Sequence, residues 1–265
     1  MRFITPKNRA ILREMVATDF KIRYQGSVLG YIWSLLKPLL LFAVLYILFT
    51  YIAPIGQGLE HYGVSLLVGI VLWNFFSETT MVGASSIVAN GDLLRKVSIP
   101  RYIVVLSSSF SALINLCLSM VVVFIFAFIN GITPEWTWVF IPIIIIELFV
   151  FSLGLAFILA TAYVKYRDVT YIWEVMLQAG FYASMIIIPM SVVPVALHNW
   201  FFMNPIVQIV QDFRALLMPG ADVATIWSSV DRIPYRIVPF VVIAITILFG
   251  YKYFKRRSKY FAEDI

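Results

Sequence analysis

The sequence is poor in charge, in cysteine and in histidine. Asp, Glu, Lys and Arg make up 13% of the 265 residues, while 62% are apolar. A soluble globular domain carries about a quarter of its residues as charged ones. This chain has too little polar sequence to cover a soluble globule, which makes a bilayer its default environment. A single cysteine, Cys117, excludes an internal disulfide framework and any multi-cysteine metal site. It falls inside an apolar run, where a small buried thiol is expected. The two histidines, His61 and His198, are far apart in sequence, which argues against a shared metal centre. No nucleophile–base pair stands out, and no G-x-x-x-x-G-K-[ST] phosphate loop occurs. No apolar stretch precedes Ala10, so no cleavable signal peptide is expected.

What the chain does have is long apolar runs. A spanning helix needs roughly 17–25 mostly apolar residues. Candidates lie at 30–52, 62–88, 103–130, 138–164, 171–190 and 237–253, the fifth fading at Pro189 and Pro194. The expected fold is therefore all-α and integral to the membrane, with six transmembrane helices in a single domain spanning 1–265. The net charge of +6 is distributed in a telling way. Basic residues cluster before the first run, between the second and third (Arg95, Lys96, Arg101), between the fourth and fifth (Lys165, Arg167) and after the last (Lys252 to Lys259). The loops at 53–61 and 131–137 contain none, and only Arg214, Arg232 and Arg236 fall on their side. The Lys/Arg excess marks cytoplasmic loops, so both termini are expected in the cytoplasm. The basic bias reports topology and headgroup contact, and it argues against a nucleic-acid partner.

Two further segments are neither spans nor ordinary loops. Within 1–29, Ile11, Leu12, Met15, Val16 and Phe20 recur at helical spacing opposite Arg9, Arg13, Glu14, Lys21 and Arg23. This pattern predicts an amphipathic helix in the cytoplasmic interface; a soluble helix packed on another domain is the alternative. Within 191–220, Asn204-Pro205 reads as a helix start, followed by an apolar stripe from Ile206 to Leu217 and a stop at Pro219-Gly220. It is too short to cross. A re-entrant hairpin on the outer side fits better, bordering a pathway.

Four stretches place polar and basic groups at defined distances from the spans. The first, Arg23-Tyr24…Ser27…Gly30…Trp33…Pro38, leads from the interface into the first span. The second, covering 91–101, holds Asp92, Leu93, Leu94, Arg95, Lys96, Pro100 and Arg101. It reads either as a charged turn or as a helix whose leucines enter a groove on a soluble partner while the basic pair steers the encounter. The third is Tyr163-Val164-Lys165-Tyr166-Arg167-Asp168-Val169, where Asp168 is placed to cap the fifth span while Lys165 and Arg167 face headgroups. The fourth is Asn204-Pro205…Asp212…Arg214. Glu78 and Glu147 stand out inside spans, because a carboxylate at membrane depth costs about 2.5–3.5 kcal/mol. Such groups face a bundle interior or water, or stay protonated in packing. Candidate channel-lining residues are Tyr46, Trp73, Glu78, Tyr171, Trp173 and Glu174, with Tyr31 and Trp33 as further aromatics on which a sugar ring can slide. Trp136, Trp138 and Trp200 suit an interfacial belt.

Taken in order along the chain, these stretches resemble the membrane subunit of type-2 ABC exporters, especially those exporting lipid-linked polysaccharides such as O-antigen, capsule and teichoic acid. The matching residues are Arg23, Tyr24, Ser27, Leu29, Gly30, Trp33 and Pro38; then Leu93 to Arg101; then Tyr166 to Val169; then Asn204 to Arg214. The resemblance implies a homodimer, bound to two copies of a cytoplasmic ATPase through the 91–101 coupling helix. It implies no cofactor in this chain, with ATP and Mg on the partner subunit. It implies an access role for Arg23, Tyr24, Ser27, Gly30 and Trp33, and an outer gate around Asn204, Pro205, Asp212 and Arg214. Rival readings are an exporter of a small molecule or drug within the same family, an ion-coupled secondary transporter hinted at by Glu78 and Glu147, and a structural scaffold.

Overall fold

Apolar runs in this chain become helices because, in an apolar environment, a helix satisfies every backbone N–H and C=O within its own segment. The computed structural model describes residues 5–24, 32–53, 59–97, 99–221, 223–230 and 232–261. Among them it contains helices and no strand. In order these are α1 (Pro6–Tyr24), α2 (Ile32–Ile47), α3 (Tyr62–Ala89), α4 (Gly91–Lys96), α5 (Tyr102–Ile129), α6 (Ile141–Lys165), α7 (Val169–Ala183), α8 (Val195–Phe201), α9 (Pro205–Leu217), α10 (Ile226–Ser229) and α11 (Ile233–Arg257). A wider π turn, Leu48–Ile52, extends α2, and a 3₁₀ turn, Trp136–Phe140, leads into α6.

Five of these units are long and apolar enough to cross a bilayer: Trp33–Ile52, Tyr62–Ala89, Tyr102–Ile129, Trp136–Lys165 and Ile233–Arg257. The helix expected over 171–190 instead stops at Ala183. The physical reason is local. Met185 adopts a left-handed conformation (φ 52°), and three consecutive isoleucines then run into Pro189, which holds an extended backbone at ψ 143°. Proline also disfavours helical geometry at the residue before it.

Close helix contacts are built on small residues. A Cβ on Gly83 of α3 would meet the Ala156 methyl of α6 at 2.7 Å, and one on Gly154 would meet the Ile247 backbone of α11 at 2.8 Å. Gly250 of α11 in turn faces the Gly154 carbonyl. Small residues let backbones approach where lipid supplies no hydrophobic drive for association. Leucine at position 154 is therefore expected to force α6 and α11 apart. A cost of about 1–3 kcal/mol should appear as a lower unfolding midpoint of the detergent-solubilised protein, with Gly154→Ala milder. The buried serines of α5 meet the same environment differently. The hydroxyls of Ser107, Ser108, Ser109 and Ser111 donate to carbonyls three or four residues back, at 2.9–3.0 Å.

The first helix lies along α5, where the Asn8 amide donates to the Tyr102 hydroxyl at 3.0 Å. Asn8, Ile11, Leu12, Met15, Val16 and Asp19 form a half-covered stripe at helical spacing, while Lys7, Arg9, Arg13 and Glu14 are exposed. Between α1 and α5 runs a cleft of about 1270 Å³, with Arg9 and Arg13 on one wall and Phe110, Ile114 and Leu118 on the other. Cys117, expected to be buried, is exposed on this same wall. It falls on the outward face of α5, which the helix pattern around Cys117 did not distinguish from the inward one.

Candidate functional site

The most heavily determined region is α9 and the chain break that it supports. Asn204 starts α9 by accepting the Ile206 N–H at 3.0 Å, with Pro205 in the first turn. The amide nitrogen of Asn204 also donates to the Ser184 hydroxyl at 3.3 Å, tying this start to the end of α7. At the other end, Thr137 and the Trp138 indole donate to the Leu216 and Leu217 carbonyls. Every residue from Pro205 to Arg214 is buried. A helix covered on all sides carries polar groups only where partners await them.

Arg214 has such partners. Its Nε donates to the Ser65 carbonyl at 3.0 Å, Nη1 to Met185 at 3.0 Å and Nη2 to Ile186 at 2.8 Å. The Tyr62 hydroxyl donates to the Ile187 carbonyl at 3.1 Å. These bonds supply donors to the carbonyls that the end of α7 leaves free, which is how non-helical backbone is tolerated in an apolar interior. Gly69 leaves room for the guanidinium, since a Cβ there would stand 2.7 Å from Nη2. On the α6 side, the Gln208 amide nitrogen donates to Asp212 Oδ2 at 2.8 Å and reaches Glu147 Oε2 at 3.5 Å. Asn204, Pro205, Asp212 and Arg214, expected at an outer gate, are thus brought together as one buried clasp. Tyr62, Gly69 and Gln208 belong to it and were missed. Gln208 and Asp212, four apart, share a helix face, a spacing that would have paired them.

A second polar constellation lies at span depth. Trp33 and Lys37 of α2, Asn74, Ser77 and Glu78 of α3, and Asn115 of α5 line a cavity of about 320 Å³. The Asn115 amide donates to Glu78 Oε1 at 2.9 Å. Lys37 is exposed, and Asn74, Ser77, Glu78, Met81 and Ser85 form a half-covered stripe along α3. Of the other candidate lining residues, Trp73 packs against Phe76, Phe181 and Gly180, and Tyr46 stacks on Phe42 and covers Gly63. The Trp173 indole donates to the Thr80 hydroxyl at 2.9 Å. Tyr171 and Glu174 are exposed on the uncovered face of α7. Ser27, Gly30 and Tyr31 lie outside the described residues, as do the side chains of Phe20, Arg23 and Tyr24.

Within 91–101, Gly91–Lys96 form α4 and Val97 is extended. Asp92, Leu93, Arg95 and Lys96 are exposed, whereas Leu94 packs against the apolar cluster that includes Ile87, Val104, Phe254 and Phe261. Both leucines were expected on the surface; one anchors the helix and the other projects. Pro100 is half-covered, and Arg101 donates to the Ser258 carbonyl just beyond α11, a brace rather than an exposed contact. At the third turn Asp168 heads α7 without a side-chain capping bond. Arg167 stacks over Tyr163 and Lys165 over Tyr166.

A bundle of apolar helices with polar residues gathered at span depth and a projecting basic helix beside two of them defines a multi-span membrane protein. The chain belongs to the ABC-2 type transporter family, whose model matches residues 12–218. It is 30% identical over 210 residues to an O-antigen export system permease protein RfbA of Myxococcus xanthus, covering 78% of this chain and 80% of that one. A Klebsiella pneumoniae protein of the same name is 28% identical over 203 residues, 76% of this chain and 78% of its own length. The polysialic acid transport protein KpsM of Escherichia coli is 22% identical over 210 residues, covering 76% and 79%.

Proposed function

We propose that this chain is the membrane subunit of an ATP-driven exporter that moves a lipid-linked polysaccharide of the O-antigen type from the cytoplasm across the inner membrane. The carrying observation is the polar groove around Lys37, Glu78 and Asn115 at span depth. An ammonium and a carboxylate cannot face hydrocarbon cheaply, so this side of the chain faces water or protein. It is where a second copy of the chain stands, and a hydrated path runs between the two. Amides, a hydroxyl, a carboxylate and the Trp33 indole suit sugar hydroxyls and the apolar faces of sugar rings. The names of the relatives, two O-antigen permeases and a polysialic acid transport protein, support the same substrate class.

The remaining parts follow from this reading. Five continuous helices cross, and the sixth transit is α7 completed by the non-helical Ser184–Pro189 stretch that Arg214 and Tyr62 hold. Six transits leave both termini in the cytoplasm, where the basic loops are. The first helix lies in the inner interface. Its cleft against α5, basic on one wall and apolar on the other, suits a phosphate-bearing lipid at the start of its path. α8 and α9 form the outer hairpin. The projecting Leu93, Arg95 and Lys96 of α4 dock one of two ATPase copies, which bind the ATP and Mg.

Reconstitution with a partner ABC ATPase subunit in proteoliposomes tests the proposal. ATP-dependent transfer of a lipid-linked glycan to the far leaflet is expected, and transfer of small drugs but not of the glycan would overturn the substrate class. In the same system Leu93→Asp with Arg95→Glu is expected to reduce ATPase association about tenfold or more, a loss of about 1.4 kcal/mol. Unchanged co-purification would remove α4 from the docking surface.

A further inference from the structure

The corner between α1 and α5 joins two walls of different chemistry. On α1, Arg9 and Arg13 stand four residues apart and so share a helix face, with Glu14 beside them. All three are exposed, and all three line the cleft of about 1270 Å³. On α5, Phe110, Ile114 and Leu118 form an apolar row at four-residue spacing. Val121 and Ile125 continue that face beyond the cleft and are 55% and 53% exposed. From Phe110 to Val121 the row rises roughly 16 Å, at about 1.5 Å per residue. One leaflet's half of a hydrocarbon core about 30 Å thick has nearly the same depth.

We propose that this corner holds a resident anionic phospholipid of the inner leaflet, with its phosphodiester between Arg9 and Arg13 and one acyl chain along the α5 row. The site goes beyond the export reading and rests only on the part of it that puts α1 at the inner interface. The lipid is a structural ligand; where the lipid end of the cargo meets the same corner, the phospholipid is what it displaces. Charge decides the headgroup. Two guanidiniums and one carboxylate leave these three side chains one positive charge in excess, which a single phosphodiester neutralises. Arginine suits the phosphate, because its planar fork donates two parallel N–H bonds to neighbouring oxygens. An uncharged glycerol headgroup then places hydroxyl donors beside the Glu14 carboxylate, which only accepts. A choline headgroup brings a second cation to the guanidiniums and no N–H for Glu14. An ethanolamine headgroup satisfies Glu14 but leaves the excess positive charge in place. Bound in this way, the lipid fastens α1 to α5 and adds to the Asn8–Tyr102 hydrogen bond between them.

Native mass spectrometry of the purified, delipidated chain reads the bound lipid directly. Phosphatidylglycerol is expected to form a one-lipid adduct at a concentration roughly tenfold or more below that needed for phosphatidylcholine or phosphatidylethanolamine. Arg9→Gln with Arg13→Gln should abolish that preference. Ile114→Trp narrows the track of the chain, leaves the arginines in place and should weaken the phosphatidylglycerol adduct. Arg256→Gln with Lys259→Gln, in the basic cluster after α11, should change neither. Equal retention of the three lipids would overturn the proposal. So would a preference that survives loss of both arginines, or one lost equally in the Arg256/Lys259 variant. If the Arg9/Arg13 variant fails to accumulate, the wild-type headgroup preference together with Ile114→Trp decides. Wild-type protein that retains a lipid-linked glycan from its membrane but binds no phospholipid would assign the corner to the cargo instead. Failure of glycan transport in proteoliposomes bears on the export reading and leaves these lipid measurements standing.

Discussion

Arg214→Ala is expected to be the most damaging single substitution in the chain. It strips donors from the Met185 and Ile186 carbonyls, which lie outside any helix, and removes a second donor from the Ser65 carbonyl within α3. Each buried group left unsatisfied costs about 1–3 kcal/mol, against a total stability of about 5–15 kcal/mol for a typical domain. Met185 adds to the loss, because its left-handed backbone conformation is held by the bond that the guanidinium makes to its carbonyl. The expected outcome is a collapse in steady-state protein level and, for whatever is purified, a sharply lowered unfolding midpoint. Arg214→Lys keeps the charge but loses the planar fork that reaches three carbonyls at once, so it should fall between alanine and wild type. Tyr62→Phe removes one bond to Ile187 and should cost only about 0.5–1.5 kcal/mol. Equal midpoints for Arg214→Ala and Tyr62→Phe would contradict the clasp.

The contrast between these residues shows how much of the molecule the sequence made legible. Hydropathy located the long helices well, because length and apolar content are what a bilayer selects. The helices expected at 62–88 and 103–130 run from Tyr62 to Ala89 and from Tyr102 to Ile129. Hydropathy failed at 171–190, where the residues stay apolar but the backbone leaves the helix at Ala183. Composition does not record which carbonyls have donors, and here the donors come from Tyr62 and Arg214, distant in sequence. The same limit applies to side-chain direction. Leu93 and Leu94 are adjacent and chemically alike, yet one projects and the other packs against the cluster that includes Phe254 and Phe261. A helix rotates neighbours by about 100°, and only the tertiary partner decides which of the two faces it.

Glu78 shows what reading residue types did achieve. A carboxylate in the middle of an apolar span marks a face turned to protein or water, and the structure sets it in a cavity with Lys37, Asn74, Ser77 and Asn115. Glu78→Leu removes the acceptor of the Asn115 amide and makes the groove apolar. Export is expected to fall about tenfold or more, equivalent to about 1.4 kcal/mol on the transport barrier, while protein level and ATPase association hold. Glu78→Gln retains an acceptor for Asn115 and should keep most of the flux. Glu78→Lys, which puts a second cation beside Lys37, should be worse than leucine. If the two charges act as a pair, Lys37→Glu combined with Glu78→Lys should recover flux beyond the sum of the single effects, the signature of direct coupling. ATP-driven glycan transfer in proteoliposomes measures the wild type and all of these variants, with Lys37→Glu alone included, on one scale. A Glu78→Leu variant that transports at the wild-type rate would place the path elsewhere, and one that no longer accumulates would make Glu78 a packing residue.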